Sequence, residues 1–265
     1  MEETIPWDFT DPFIFGMLFL AMFLMVVIRY FILAGGFYAY FYVWAPSKWQ
    51  SRKINQKPHS KKQFWYELKY SLLTSILFAL LGAVTAVAWQ KGYTAIYTDF
   101  NDFGVWWFLA SIAIAMLIHE TYYYWLHRWM HIPAVYRKIH KVHHQSMITS
   151  PWTAFSFHPV EGLLEGIILP LIILVLPMHP YAIVTHLTIM TITSVINHLD
   201  IEIYPRGTHK HWFGKHWIGA SHHSLHHQKY SCNYGLYFTI WDKWMKTETP
   251  LYPVRFEEKT NTLNQ

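Results

Sequence analysis

A chain of 265 residues with 53% hydrophobic and only 14% charged residues carries too little charge for an ordinary soluble domain, where charged residues make up about a quarter. Its net charge of +5 comes from basic residues in loops rather than along one helix face, which suits an anionic membrane surface and argues against nucleic-acid reading. The single cysteine, Cys232, excludes both a disulfide framework and a thiolate zinc cluster.

The first apolar run, 13–43, is broken only by Arg29 and the Gly35–Gly36 pair. It is long enough for one tilted membrane span, and aromatics thicken toward its end as at an interface. Acidic residues (Glu2, Glu3, Asp8, Asp11) precede it, and it exceeds the apolar core of a signal peptide, so no cleavable leader is expected. A basic loop follows, with Lys48, Arg52, Lys53, Lys57, His59, Lys61, Lys62 and Lys69, and then a second span over 70–89. A short loop carrying Asp99 and Asp102 leads to a third span over 105–125. The positive-inside rule puts the 48–69 loop in the cytoplasm, so the N-terminus and the 90–104 loop lie outside and the chain returns to the cytoplasmic side from Leu126.

Two shorter apolar runs, 162–176 and 181–196, flank Pro177-Met178-His179-Pro180. Each is marginal for a full span, which predicts a hairpin that enters and leaves on one side with prolines at its apex. His158 and His198 then share the cytoplasmic side. The expected fold is an all-α integral membrane protein, with three transmembrane helices, a two-helix membrane hairpin and a cytosolic histidine-rich helical cap holding a dimetal site. It is read as one domain: spans in 1–117, a catalytic histidine-box core in 118–247 and a tail in 248–265.

Of 18 histidines, only His59 precedes His119. Three boxes stand out: His127 with His131; His140 with His143 and His144; and His223 with His226 and His227. Spacings of three and four residues stack side chains on one helix face, so two such imidazoles can chelate one ion or bracket two. Random placement of 18 histidines gives about 0.08 expected copies of His-x-x-His-His, and the chain has two. With His198 at the exit of the hairpin, nine imidazoles exceed what one ion can take, which implies two metals. Imidazole suits iron, zinc, copper and nickel alike, so spacing alone does not name the metal.

The run from Tyr123 through His127 to His131, the box His140-Lys-Val-His143-His144, and Phe157-His158-Pro159-Val-Glu161-Gly162 resemble the fatty acid hydroxylase superfamily, which includes sterol desaturases. Asn197-His198, His223-Ser-Leu-His226-His227 and the stretch from Asn233 to Trp241-Asp242 are similar to its C-terminal signature. The resemblance covers 118–247. It implies two iron ions (zinc being able to substitute in purified protein) held by His127, His131, His140, His143, His144, His223, His226 and His227, with His198 matching the family's isolated histidine. It also implies O₂ chemistry at a C–H bond of a lipid, with electrons from an external donor such as a cytochrome b5 or ferredoxin system. Some members have a further paired histidine where this chain has Glu202.

Three carboxylates are candidates for orienting ligands. Glu202 lies four residues after His198, and Asp242 follows Trp241. Glu120 lies seven residues before His127, about two turns or roughly 10 Å deeper on one helix face, where a membrane-embedded acid is costly and usually functional. His119 is expected to line a substrate path. His158 is expected to cap a helix or line the site, while His179, His186, His209, His211, His216 and His222 are expected to be structural or at the surface.

The reading is therefore a membrane oxygenase that hydroxylates or desaturates a lipid. The alternatives are a non-catalytic metal-binding or transport protein, which needs polar residues through its spans, and a bis-histidine haem carrier, which needs histidines on facing spans. No flavin, haem-attachment or nucleotide-binding motif occurs, so a partner must supply reductant. A C-terminal retrieval signal is also missing, which leans toward a bacterial inner membrane over the endoplasmic reticulum.

Overall fold

The computed structural model describes residues 6–261. The acidic Glu2 and Glu3 and the residues on which the retrieval-signal reading rests (262–265) lie outside that range. Among the described residues the secondary structure is helical, with three isolated β-bridges and no strand.

Helix α1 (Pro12–Tyr38) starts where the Asp11 carboxylate accepts from the amides of Phe13 and Ile14 and Pro12 presets the first turn. It runs on through a π-helical stretch, Ala39–Trp44, and the short α2 (Pro46–Trp49) follows. Helix α3 (Lys61–Gln90) is capped by Ser60 on the amide of Gln63. It begins nine residues before the second span predicted from hydropathy, so part of the basic loop is helical. Helix α4 (Gly104–Met130) likewise outruns its predicted end, and His127 sits on the helix itself. These are the helices, 33 (with the π-helical extension), 30 and 27 residues, that are long and apolar enough to cross a membrane. Leu20, Leu24, Ile28 and Ile32 form an exposed stripe at four-residue spacing down α1. That face needs an apolar solvent.

Beyond α4, the chain turns through α5 (Pro133–Lys138) and the single turn α6 (Lys141–His144), then a 3₁₀ turn, Pro151–Phe155. The hairpin follows. Its first arm is broken at Ile167 into α7 (Pro159–Gly166) and α8 (Ile168–Val175), and its second arm is the 18-residue α9 (Pro180–Asn197). His158 and His179 cap the two arms through the amides of Val160 and Tyr181. The apex docks on the α3–α4 loop: Trp107 Nε1 donates to the carbonyl of Pro177, and the amide of Tyr97 to that of Met178. Both ends of the hairpin therefore lie at the opposite end of the bundle. There α10 (Ala220–Lys229), α11 (Ile240–Trp244) and α12 (Leu251–Thr260) close over them.

Buried Glu67 ties α3 to the 3₁₀ turn Pro151–Phe155 and its cap Ser150. Its carboxylate accepts from Gln63 Nε2 at 2.7 Å, Thr153 Oγ1 at 2.9 Å and Ser150 Oγ at 3.1 Å, and pairs with His59 Nε2 at 2.8 Å. His59, read from the sequence as part of the basic loop, is thus drawn inward by an acid that hydropathy did not single out. Replacing Glu67 with Ala leaves several buried donors unmet, and should cost about 3 kcal/mol. Thermal unfolding in detergent is the check: a lower midpoint is expected for E67A, with a smaller drop for E67Q, which keeps an acceptor.

Candidate metal centre

The histidine boxes arrive from four places: the last turn of α4, the α5–α6 turn, the end of α9, and α10. They assemble into two groups. His127, His131, His140, His144 and His226 form one; His143, His198, His223 and His227 form the other, and within each group the donor atoms lie within 4.8 Å of one another. Every residue three places into a triplet crosses to the other group. His140 and His144 stay together while His143 leaves them, and His223 and His227 stay together while His226 leaves. On a helix i+4 points about 40° to one side of i and i+3 about 60° to the other, so each triplet can bracket two positions instead of chelating one.

The rings are sealed from water. Eight of the nine are at most 4% exposed, and His131 is partly buried. Burial, reinforced by neighbouring imidazoles, holds His140, His143, His144, His223, His226 and His227 well below the ordinary histidine range. They are neutral, the form that ligates a metal.

Proton placement supplies the test of fit. The Nδ1 atoms of His127, His198 and His226 lie 2.8, 2.7 and 2.8 Å from the carbonyl oxygens of Tyr234, Ser194 and Cys232, and that of His143 lies 3.3 Å from Ser156. His140 Nδ1 lies 2.6 Å from Glu161 Oε1. A carbonyl can only accept, and so can an ionised Glu161 carboxylate, so Nδ1 donates and the neutral ring presents a bare lone pair at Nε2. Yet the Nε2 atoms of His127 and His140 are 3.1 Å apart, and those of His143 and His198 are 3.2 Å apart. Lone pair facing lone pair in a buried site is repulsive unless a cation lies between them. One such pair occurs in each group, so the donor set fits two metal ions.

Among the described residues Glu161 is the one carboxylate that touches a clustered imidazole, and in the sequence it stands out only as part of a motif. A signal was available: Glu161 and Glu165 are acids one turn apart in an apolar hairpin arm. The three carboxylates expected to orient ligands do something else. Glu120 Oε2 accepts from the backbone amides of Tyr237 at 2.6 Å and Leu236 at 3.2 Å. Asp242 accepts from the amides of Tyr234 and Gly235, both at 2.9 Å. Glu202 accepts from the amides of Ser221 and Tyr204, both at 3.0 Å, and so caps the start of α10 rather than an imidazole. The correction has one physical reason. These acids lie beneath loops whose amides have no helical partner, and a carboxylate satisfies amides in pairs. Glu120 and Asp242 act one step removed, since the carbonyl of Tyr234, on the segment these two pin, faces His127 Nδ1.

The remaining histidines lie apart from both groups. His222 is buried 3.7 Å from Glu248 and edge-on to Tyr252. His209 meets Glu257, and His211 accepts from the amides of Phe213 and Gly214. Deeper in the bundle His119 Nδ1 lies 3.2 Å from His186 Nε2 and 3.1 Å from the Tyr237 hydroxyl. Both of these imidazoles line a cavity of about 420 Å³. It runs between α1, α3, α4, α8 and α9, is walled mainly by apolar side chains, and reaches His198 and His223 of the four-histidine group.

The fatty acid hydroxylase family profile matches residues 112–247. The chain is 28% identical over 202 residues to a Delta(7)-sterol 5(6)-desaturase of Gibberella zeae, an alignment covering 76% of this chain and 61% of that one. It is 27% identical over 186 residues to a lathosterol oxidase of Homo sapiens (69% and 60%). With a putative Delta(7)-sterol-C5(6)-desaturase of Arabidopsis thaliana it shares 31% over 176 residues (63% and 58%). It thus spans about 60% of the length of these relatives. No solved structure matches it.

Two outcomes follow. Glu161→Gln leaves the His140 ring without its carboxylate acceptor and should weaken metal retention about 10- to 100-fold, read as metal content against rising chelator. Stripped of metal, the protein should lose stability as pH falls below about 6.5, the ordinary imidazole value. The unfolded chain then binds protons that six buried rings refuse, so stability rises with pH through this window. An apo protein equally stable at pH 7.5 and 5.5 would contradict this.

Proposed function

Because the chain belongs to the fatty acid hydroxylase family, we propose that it is a membrane-bound di-iron oxidoreductase that desaturates or hydroxylates a lipid, with a sterol the favoured substrate. The observation that carries this reading is the convergence of proton-free Nε2 atoms in two buried groups beside an apolar cavity. Two iron ions bound there supply O₂ activation and removal of hydrogen from an unactivated C–H, driven by electrons from outside the chain. His127, His131, His140, His144 and His226 would hold one ion, and His143, His198, His223 and His227 the other.

The protein contributes ligation, positioning and exclusion of water. Glu161 and the carbonyls of Ser156, Ser194, Cys232 and Tyr234 fix the imidazole tautomers. The cavity delivers an apolar body to the four-histidine side, because His198 and His223 are the clustered histidines in its wall. The printed activities of the relatives, on Delta(7)-sterols and lathosterol, support a sterol. The basic 48–69 segment supports a cytoplasmic metal site, within reach of a cytochrome b5- or ferredoxin-type donor. The lean toward a bacterial inner membrane has no support in these relatives, which are eukaryotic, and is withdrawn. A metal handler without catalysis has no observation in its favour either, since the clustered imidazoles gather at one end and the cavity behind them is mainly apolar.

The deciding experiment is sterol and acyl-lipid profiling of cells with and without the protein, beside a His143→Ala variant. We expect an oxidised lipid with the wild type and none with H143A, and about two irons per chain without a haem Soret band in purified protein. Equal product from the variant would falsify the catalytic reading.

A further inference from the structure

The surface over the metal centre carries one sign of charge. Residues 48–66, 121–160 and 203–241 contain no aspartate or glutamate. Apart from Arg29, Lys69 and Lys91, every lysine and arginine of the chain lies in those segments or in 242–261. The acids of 242–261 are already engaged: Asp242 is buried against backbone amides, Glu248 pairs with Lys243, Glu257 with Lys210 and Glu258 with Arg255. Such a face draws acidic partners and repels basic ones.

Within it lies a groove of about 660 Å³, formed by residues 54–57, the 147–148 turn, the end of α10, and α12. Lys57, Arg255 and Lys259 bring charge to its wall, and Met147 and Gln228 bring it to the metal centre. His144 of the five-histidine group stands three residues before Met147, and His227 of the other group immediately precedes Gln228.

A short chain of contacts runs inward from the groove. Met147 is exposed, and the Tyr230 hydroxyl donates to its Sδ at 2.9 Å. The Tyr230 ring lies 4.9 Å, centroid to centroid, from His144 and 5.7 Å from Tyr136, which sits 5.6 Å from His131. His131 is the one clustered imidazole that is only partly buried. Tyr230 ends α10 at a φ of 65°, in the left-handed region where glycine is usual. A tyrosine held there keeps its ring between an exposed sulfur and an imidazole of the centre, and residues in such conformations gather at functional sites.

Resting on the lipid-oxidation reading, we propose that this groove docks a small, acidic one-electron carrier protein, whose electrons pass through Met147 and Tyr230 to His144. Oxidation of a C–H by O₂ takes two electrons from the carrier and two protons from water. The carrier is oxidised in two successive dockings, and the O–O bond breaks. In a hydroxylation one oxygen stays in the alcohol and the other leaves as water; in a desaturation both leave as water. Anionic headgroups are the rival occupant of a basic cytoplasmic face, but they require neither a concavity beside ligand imidazoles nor an aromatic bridge.

The test reads binding, so it fails separately from lipid oxidation. The oxidised soluble haem domain of a cytochrome b5, an acidic one-electron carrier, is titrated against metal-loaded protein in nanodiscs of uncharged lipid by surface plasmon resonance. Lys57→Glu with Arg255→Glu should weaken binding about tenfold at low salt and flatten its salt dependence. Lys57→Gln with Arg255→Gln should give a smaller loss, which guards against misfolding of the first pair. Lys215→Glu with Lys246→Glu makes the same charge change at exposed positions outside the groove and should stay within about twofold of wild type. Tyr230→Leu should slow reoxidation of the reduced haem domain in anaerobic stopped flow. The docking assignment is overturned by absence of wild-type binding, by binding that survives the groove reversal, or by equal loss in both reversals. It is overturned as well if the groove reversal alters only retention of phosphatidylserine, and unchanged reoxidation with Tyr230→Leu removes the electron route.

Discussion

Everything at the centre depends on where five imidazole protons go. A neutral ring has one N–H. When it is given to a carbonyl or to Glu161, the opposite nitrogen can only accept, and the fold aims those nitrogens at one another. In water such rings would swing apart or protonate. Here packing prevents the first, and burial opposes the second by holding clustered histidines such as His140 and His226 below their usual range. The geometry is stable only around positive charge. The same hydrogen bonds that orient the rings thus couple metal binding to the conformation of the loops that supply the carbonyls.

That coupling explains the buried acids. Glu67, Glu120, Glu202 and Asp242 are fully or almost fully buried, and all four brace backbone or hydroxyl groups in segments that reach the centre. Glu120 illustrates the physics. A carboxylate in a membrane helix is unfavourable by itself, but the amides of Leu236 and Tyr237 would otherwise be unpaired in the same low-dielectric space. Each defect satisfies the other. The consequence is a rigid loop that seats His127 through the carbonyl of Tyr234.

The cavity joins two solvents. Its outer wall resembles lipid, whereas its inner end meets His198 and His223. An apolar body can enter without desolvation cost and be stopped where polar groups begin. Only the four-histidine group contributes to that wall, so the two groups are unequal in their access to whatever the cavity holds.

Much of the fold was legible in the sequence because membrane physics is local. A run of apolar residues must be helical to satisfy its own backbone, and length alone then separates the three long helices from the short hairpin arms. The histidine boxes were legible for the same reason, since spacings of three and four are properties of a single turn. What sequence could not assign was partnership. Triplet spacing left open which rings of a box group together; that depends on which segment faces it, as when His226 joins His131 and His144 rather than His223. Likewise Glu161 and Glu120 look equivalent as lone acids in apolar helices, yet one meets an imidazole and the other a loop. Those outcomes depend on contacts between residues 21 and more than a hundred positions apart, and no local periodicity encodes them.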